Sequence, residues 1–262
     1  MPTKIELTET EGRRCLDLID RKLDISLRVG IEIGTLETFF SFESNKNGTS
    51  REKDSRLQVS EDSWDFSSEV SYDTARIRVA EKSSINNTGG RRVLNVRAVT
   101  SSLLMDCVLR FVIPKNQVLR ASIGQKNIPH LRRNHYHQFP ASPISLDLRS
   151  GVSITFAPRN SNLPDGFEHL AYLRDEPEYW VIHFRALATA PTVYTIKGCS
   201  RFYNRPFPLA FQRFISAFPK LRENLLFVRE RVSQRIPFQV NGASELKAGQ
   251  DLELGVDWVV SK

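Results

Sequence analysis

The sequence predicts a mainly β protein, folded as an antiparallel β-sandwich or, as the alternative, an open barrel. Several segments alternate apolar and polar residues with a period of two, which is typical of strands with one buried face. About ten such segments follow one another at close spacing, separated by turn residues. No strand–helix–strand alternation of the kind that builds parallel sheets interrupts them. Because the strand lengths are uneven, two packed sheets are favoured over a closed barrel.

In the first third of the chain, residues 25–33 form the clearest strand, since every second residue is apolar. Residues 36–40 are predicted to form a second, short strand. Residues 41–60 are rich in Ser, Asn, Lys and Glu, so we expect a long, flexible, exposed loop there.

The best strand pattern covers residues 103–113, where apolar side chains alternate without a miss until Pro114 ends the run. Further strands are predicted at 76–80, 92–99, 118–123, 144–148, 152–156, 169–173, 179–187 and 193–196.

The pattern changes near the C-terminal end. Between residues 207 and 234 apolar residues recur every three or four positions, which predicts an amphipathic helical segment that Pro219 kinks or divides. Asn241-Gly242 is a strong signal for a two-residue hairpin turn between strands 238–240 and 244–246. A final strand is predicted at 252–260.

Length and composition limit the classes of protein. With 262 residues, 40% hydrophobic and 26% charged, the chain suits one large β domain, residues 1–262, with a subdivision near residue 125 as the alternative. The first residues are acidic where a signal peptide needs an apolar core, and no apolar run approaches the roughly 20 residues that span a bilayer. We therefore expect a cytoplasmic protein with no membrane partner. The three cysteines form no C-x-x-C pair, so neither a zinc knuckle nor a redox pair is indicated.

The net charge of +7 is concentrated in residues 196–235, which hold nine Lys or Arg and only two acids. Such a basic segment, with aromatic residues among the cations, suits nucleic acid or another acidic partner. A solvated helix face explains the same charges equally well, and no nucleic-acid-binding motif accompanies them.

Residues 128–140 hold the densest group of chemically versatile side chains, including three of the five histidines. On a strand, His135 and His137 face the same side and can approach one ligand or ion. A mononuclear metal site needs a third ligand, and His169 is the best candidate. The order H-x-H followed by P-x-G-x-x-H resembles a fragment of the cupin double motif over about a tenth of the chain. It lacks that motif's glutamate after the histidine pair. The resemblance implies a metal-dependent enzyme using a divalent cation.

The alternative hypothesis, without a metal, is that the same region forms a polar groove that binds a sugar or sugar acid. Aromatic rings stack on sugars, and Arg and His bind hydroxyls or carboxylates. The predicted catalytic residues are His135, Tyr136, His137 and Glu168. The predicted ligand-binding residues are His130, Arg132, Arg133 and His169.

The leading hypothesis is a protein that binds a small polar or anionic ligand, most plausibly a carbohydrate, with catalysis left open. The chain has no Gly-rich phosphate loop, no G-x-S-x-G and no H-E-x-x-H, which argues against nucleotide hydrolysis, that type of serine hydrolase and zincin chemistry. The ligand, the reaction and the oligomeric state are not determined by the sequence.

Overall fold

The computed structural model describes residues 4–10, 13–36, 39–43, 51–129, 135–159, 162–188, 193–198 and 238–261. Within these ranges the chain forms nineteen strands and one short 3-10 helix, Lys115–Gln117. The strands are β1 (Lys4–Thr10), β2 (Arg13–Asp20), β3 (Ile25–Thr35), β4 (Phe39–Phe40), β5 (Arg51–Val59), β6 (Ser63–Ser71), β7 (Arg76–Asn86), β8 (Gly89–Ala98), β9 (Ser102–Pro114), β10 (Val118–Ile123), β11 (Lys126–Ile128), β12 (His135–Pro140), β13 (Ile144–Leu148), β14 (Ser153–Pro158), β15 (Phe167–Asp175), β16 (Tyr179–Ala188), β17 (Val193–Gly198), β18 (Phe238–Leu246) and β19 (Asp251–Ser261).

The strands make two antiparallel sheets, which confirms the predicted mainly β, antiparallel class. Sheet A has the order β1-β2-β3-β9-β16-β15-β12, with β4 beside β3 and with β18 pairing both β9 and β17. Sheet B has the order β11-β10-β13-β14-β19-β8-β7-β6-β5. Because sheet A contains β9 and β16 while sheet B contains β8 and β13, each sheet takes strands from both sides of residue 125. This mixing favours our proposal of a single domain for residues 1–262.

The core lies between the two sheets, as the alternation predicts. In β9 the side chains of Cys107, Leu109 and Phe111 are fully buried in it. The ring of Phe111 reaches sheet B, where its centroid lies 4.7 Å from that of Phe156 and 5.8 Å from that of Trp258. Each large apolar side chain buried in this way contributes roughly 1.5–3 kcal/mol to stability.

A buried arginine of sheet B joins the two sheets inside this core. Arg92 of β8 and Glu81 of β7 are both completely buried, with Nε and Oε1 separated by 2.7 Å. Arg92 also donates from Nη1 to the carbonyl oxygen of Arg110 (2.8 Å) and from Nη2 to that of Gly30 (2.9 Å). A side chain of sheet B thus binds the backbone of two neighbouring strands of sheet A.

Two local predictions are wrong in the described residues. Arg51–Val59 form strand β5, which pairs with β6, so this part of the predicted loop 41–60 is a strand with mostly exposed side chains. Asn241-Gly242 is not a hairpin turn, because β18 runs straight through it. Gly242 pairs with Tyr194 of β17, and three residues later Glu245 pairs with Leu103 of β9. Cross-strand partners on two strands override the local turn preference.

Other predictions fall largely outside the described residues. They include the amphipathic helical segment 207–234 and most of the basic segment 196–235, of which only residues 196–198 belong to a described strand, β17. Within the described part of the chain, no helix has the length and apolar character needed to cross a membrane.

Candidate functional site

The face of sheet A that points away from the core carries a recessed group of polar side chains, which we call the polar face. Cross-strand pairing sets its geometry. Gly30 pairs with Arg110, and Arg110 pairs with His183, which in turn pairs with Tyr172. The polar face comprises Glu32, Glu43, Asp106, Arg110, Tyr172, His183 and Arg185.

The alternation within each strand directs these residues outward. In β3 the buried residues Val29, Ile31 and Ile33 alternate with Gly30 and Glu32. The same period separates the outward residues of β9 and β16 from their buried neighbours, because successive side chains of a strand point to opposite faces. The polar face is therefore a consequence of the same pattern that builds the core.

Gly30 allows an acid from another segment to join this face. Glu43 follows β4, and its carboxylate lies where a side chain at position 30 would begin. A Cβ at Gly30 would be 2.5 Å from Oε2 of Glu43 and 3.0 Å from Nη2 of Arg110. The absence of a side chain at this position lets Glu43 form an ion pair with Arg110.

Ion pairs organise the charges on the polar face. Arg110 donates from Nη1 to Oε1 of Glu32 at 2.5 Å and also pairs with Glu43. Arg185 pairs with Asp106. The exposed fraction of these side chains is 22% for Arg110, 12% for Arg185 and 8% for Asp106, compared with 50% for Arg76 in a pair on sheet B. Their interactions are therefore less screened by water and salt than those of ordinary surface pairs.

His183 lies at the centre of the polar face. Its ring stacks on that of Tyr172, with centroids 5.1 Å apart and an interplanar angle of 26°, and the guanidinium of Arg185 lies 5.7 Å from the Tyr172 ring centroid. Burial and the positive charges of Arg185, Arg110 and Arg174 hold the pKa of His183 well below its usual value. At neutral pH the imidazole is therefore uncharged.

The pKa of Glu32 is shifted in the opposite direction, above its usual value. Burial raises the pKa of its carboxyl, Arg110 opposes that rise, and the nearby charge of Asp106 adds to it. A carboxyl with a raised pKa is more readily protonated near neutral pH and can act as an acid. The polar face thus combines a neutral imidazole with a carboxyl whose pKa is raised.

Several atoms of the polar face are buried without a hydrogen-bond partner among the described residues. They are Oδ1 of Asp106, Nε2 of His183, Nε of Arg110 and Nε of Arg185. Buried polar atoms are nearly always hydrogen-bonded, so four exceptions in one cluster indicate a site that a polar ligand or ordered water completes. Clustered perturbed pKa values are also typical of functional sites.

The sequence-predicted site falls on the neighbouring part of the same sheet. Strand β12, which contains the histidine pair, lies beside β15, which contains Glu168 and His169. The register pairs His137 with Leu173, four positions from His169 along β15. At about 3.4 Å per residue, that separation is roughly 14 Å. The two segments are adjacent, but the predicted metal-binding positions on β12 and β15 are offset along the strands.

The predicted site positions on β12 and β15 are divided between the two faces of sheet A. Register positions 135 and 137 fall on the core side with Leu173, and His169 contacts the core residue Phe184, with ring centroids 6.3 Å apart. Burial lowers the pKa of His169 to about 4. Glu168 is exposed and alternates with His169, so it lies on the side of the polar face, as does register position 136.

The remaining predicted residues are not tested by the structure. His130, Arg132 and Arg133 lie outside the described residues, and only the backbone of β12 is described at His135, Tyr136 and His137. Their catalytic, ligand-binding and metal-binding roles stay predictions. Among the side chains that are described, no group of three or more His, Cys, Asp or Glu is arranged to hold a metal ion.

Sequence reasoning missed most of the polar face. The predicted site residues did not include Glu32, Asp106, Arg110, His183 or Arg185. One feature of the sequence did indicate the polar face. A charged residue at the outward positions of three long strands, with glycine at Gly30 and Gly34, is unusual for the centre of a sheet.

Comparisons with known proteins support the architecture. A solved structure from Escherichia coli K12, described as a "putative aldose 1-epimerase", superposes with a TM-score of 0.52 over 99% of this chain and 99% of that chain, at 7% sequence identity. No protein-family model matches the sequence, and no curated protein matches it. At this identity the likeness concerns the fold: two antiparallel β-sheets in a sandwich-like arrangement, shared with that protein along its whole length.

Proposed function

We propose that the polar face binds a monosaccharide and interconverts its two anomers at C1. The observation that carries this proposal is the pairing of a neutral imidazole, His183, with a carboxyl of raised pKa, Glu32, on one recessed face that has buried polar atoms without partners. The shared fold with the E. coli protein described as a "putative aldose 1-epimerase" supports the proposal by analogy.

The binding step follows from the chemistry of the available atoms. Sugar hydroxyls both donate and accept hydrogen bonds. Oδ1 of Asp106 accepts from a hydroxyl, while Nε of Arg110 and Nε of Arg185 donate to hydroxyl oxygens. The stacked rings of Tyr172 and His183 offer an apolar surface at the edge of these groups, suited to the C–H face of a pyranose.

The reaction needs one base and one acid. In our proposal, Nε2 of His183 removes the proton of the C1 hydroxyl, the bond between C1 and the ring oxygen breaks, and Glu32 donates a proton to that oxygen. The open-chain aldehyde rotates about C1–C2 and closes by the reverse steps, which returns both protons. The reaction is redox-neutral and leaves each group in its starting state. General acid–base catalysis of this kind contributes typically about 10²–10⁴-fold.

The spacing of the two groups suits a single sugar ring. Glu32 and His183 lie on strands separated by β9, and their register positions differ by two residues. With strands about 4.8 Å apart and residues about 3.4 Å apart, their Cα atoms are roughly 12 Å from each other. The two side chains point to the same face, and Arg110 of β9 lies between them.

Residues predicted from the sequence extend this proposal. We include Tyr136 and Glu168 as contributors to the ligand's surroundings, because their register positions lie on the side of sheet A that carries the polar face. The roles predicted for His130, Arg132, Arg133, His135, His137 and His169 stay proposals that do not depend on the polar face.

Polarimetry of freshly dissolved α-D-glucose and α-D-galactose tests the proposal. The protein is expected to accelerate the change in optical rotation, and Glu32→Gln and His183→Asn are each expected to lower the rate by 100-fold or more. Asp257→Asn, which removes an exposed ion-pair partner of Arg91 on sheet B, is the matched control and should leave the rate unchanged. A rate equal to the spontaneous one for the native protein rejects the proposed reaction.

A further inference from the structure

We propose that Arg92 is a positioning residue for the polar face, acting from the core side of sheet A through the backbone of Gly30 and Arg110. This inference rests on the proposed function, since it assigns a role in the same site. Gly30 and Arg110 are cross-strand partners in the row that continues to His183. Arg92 donates to both of their carbonyl oxygens, at 2.9 and 2.8 Å.

The guanidinium is itself held on several sides. Its Nε donates to Oε1 of Glu81, and the same oxygen accepts hydrogen bonds from Nε1 of Trp64 at 3.1 Å and Oγ of Ser83 at 2.9 Å. The guanidinium carbon lies 4.8 Å from the ring centroid of Phe111 and 5.7 Å from that of Trp64. Arg92 therefore has one well-defined position.

Stability alone is a weak explanation for this arrangement. Removing two charges from water is costly, and well-packed apolar residues in place of a buried ion pair often give equal or greater stability. The two carbonyl bonds add something that an apolar pair does not: they fix β3 and β9 relative to each other directly behind the polar face. On the opposite side of these residues, Arg110 pairs with Glu32 and Glu43.

The position of the backbone at this point controls the reacting groups. Glu32 is two residues from Gly30 on β3, and Arg110 holds its carboxylate. Small displacements of catalytic groups lower the reaction rate strongly, because acid–base catalysis needs hydrogen-bond distances between these groups and the substrate. A shift between β3 and β9 would move Glu32 and His183 relative to each other without unfolding the sheet.

The test separates positioning from a purely structural role by using an apolar double variant, Glu81→Leu with Arg92→Met, together with Arg92→Lys. Wild type and variants are compared in unfolding by urea, in kcat and KM for α-D-galactose, and in the NMR signal of the His183 ring. Ile144→Ala in β13 of sheet B is the control for destabilisation alone.

We expect the double variant to keep cooperative folding while kcat falls at least 10-fold and the His183 signal shifts. Arg92→Lys keeps the charge opposite Glu81 but offers fewer donors in fixed directions, so kcat should fall there too. Ile144→Ala should lose stability and retain both kcat and the His183 signal. Unchanged kcat and an unchanged His183 signal in either folded Arg92 variant overturn the inference. If the native protein has no activity on the sugar, the proposed function fails, and the His183 signal still decides whether Arg92 positions this row.

Discussion

Two histidines on sheet A show how the side of a strand decides the chemistry of a residue. His169 contacts the core residue Phe184, and burial alone lowers its pKa to about 4. His183 lies on the polar face, where three arginines add to the effect of burial. Both imidazoles are neutral at pH 7, but His183 lies among the charged side chains of the polar face, whereas His169 packs beside an apolar side chain.

The lowered pKa of His169 predicts acid sensitivity of the fold. Between pH 6.5 and about 4 the unfolded chain binds a proton at this residue that the folded protein does not. Stability therefore falls as the pH drops through that window, by up to about 1.4 kcal/mol per pH unit for one group. In His169→Gln this dependence should be weaker, as measured by urea unfolding at several pH values. An identical slope in the variant and the native protein would show that His169 is not protected from protonation.

Gly30→Ala should separate ligand binding from folding. The new methyl group meets the flexible end of Glu43, so the carboxylate must leave Arg110, while an extended backbone accepts alanine without strain. We expect stability within about 1 kcal/mol of wild type and a loss of at least 10-fold in affinity for D-galactose, measured by calorimetry.

Gly255→Ala is the matched control for that substitution, since its methyl group would meet only the side chain of Arg159, on the outward side of sheet B. Normal galactose affinity in Gly30→Ala would mean that Glu43 does not contribute to the site.

At the scale of elements, periodicity predicted most strands because a buried face imposes it. The run at 103–113 became β9, the strand at the centre of sheet A, and residues 118–123 match β10. Failures occurred where tertiary contacts outweigh local preference. Asn241-Gly242 lies inside β18 because β17 and then β9 pair with it, and β5 forms with mostly exposed side chains because β6 supplies its partners.

Arg92 of β8, which contacts β3 and β9, is paired with Glu81 in the core. Single and double substitutions of this pair should therefore differ in stability. Arg92→Met leaves Glu81 buried without its charge partner and should cost about 3–5 kcal/mol in the free energy of unfolding. Replacing Glu81 by Leu at the same time removes the stranded charge and should restore part of that loss, since Nε1 of Trp64 and Oγ of Ser83 then lose the acceptor that Glu81 provides. Urea denaturation of the single and double variants measures both quantities, and a double variant no more stable than Arg92→Met would contradict this account of the pair.

At the scale of the molecule, the sequence predicted the class of fold but only part of the site. Alternation identifies which residues face outward, whereas strand order decides which outward residues meet. Glu32, Arg110 and His183 are far apart in the chain and converge because β3, β9 and β16 are neighbours in sheet A. The histidine-rich stretch was not among the predicted strands, yet residues 135–140 form β12, beside the strand that contains Glu168 and His169. Its side chains, like the basic segment 199–235, remain subjects of prediction.

The central claim is that the outward face of sheet A binds a sugar. The most direct measurement is a ¹H–¹⁵N NMR titration of the labelled protein with D-galactose and D-glucose. Our account predicts saturable shifts grouped in β3, β9, β15 and β16, around Glu32, Arg110, Tyr172 and His183, and absent from the outward face of sheet B. Shifts confined to sheet B, or no saturable shifts with either sugar, would contradict it.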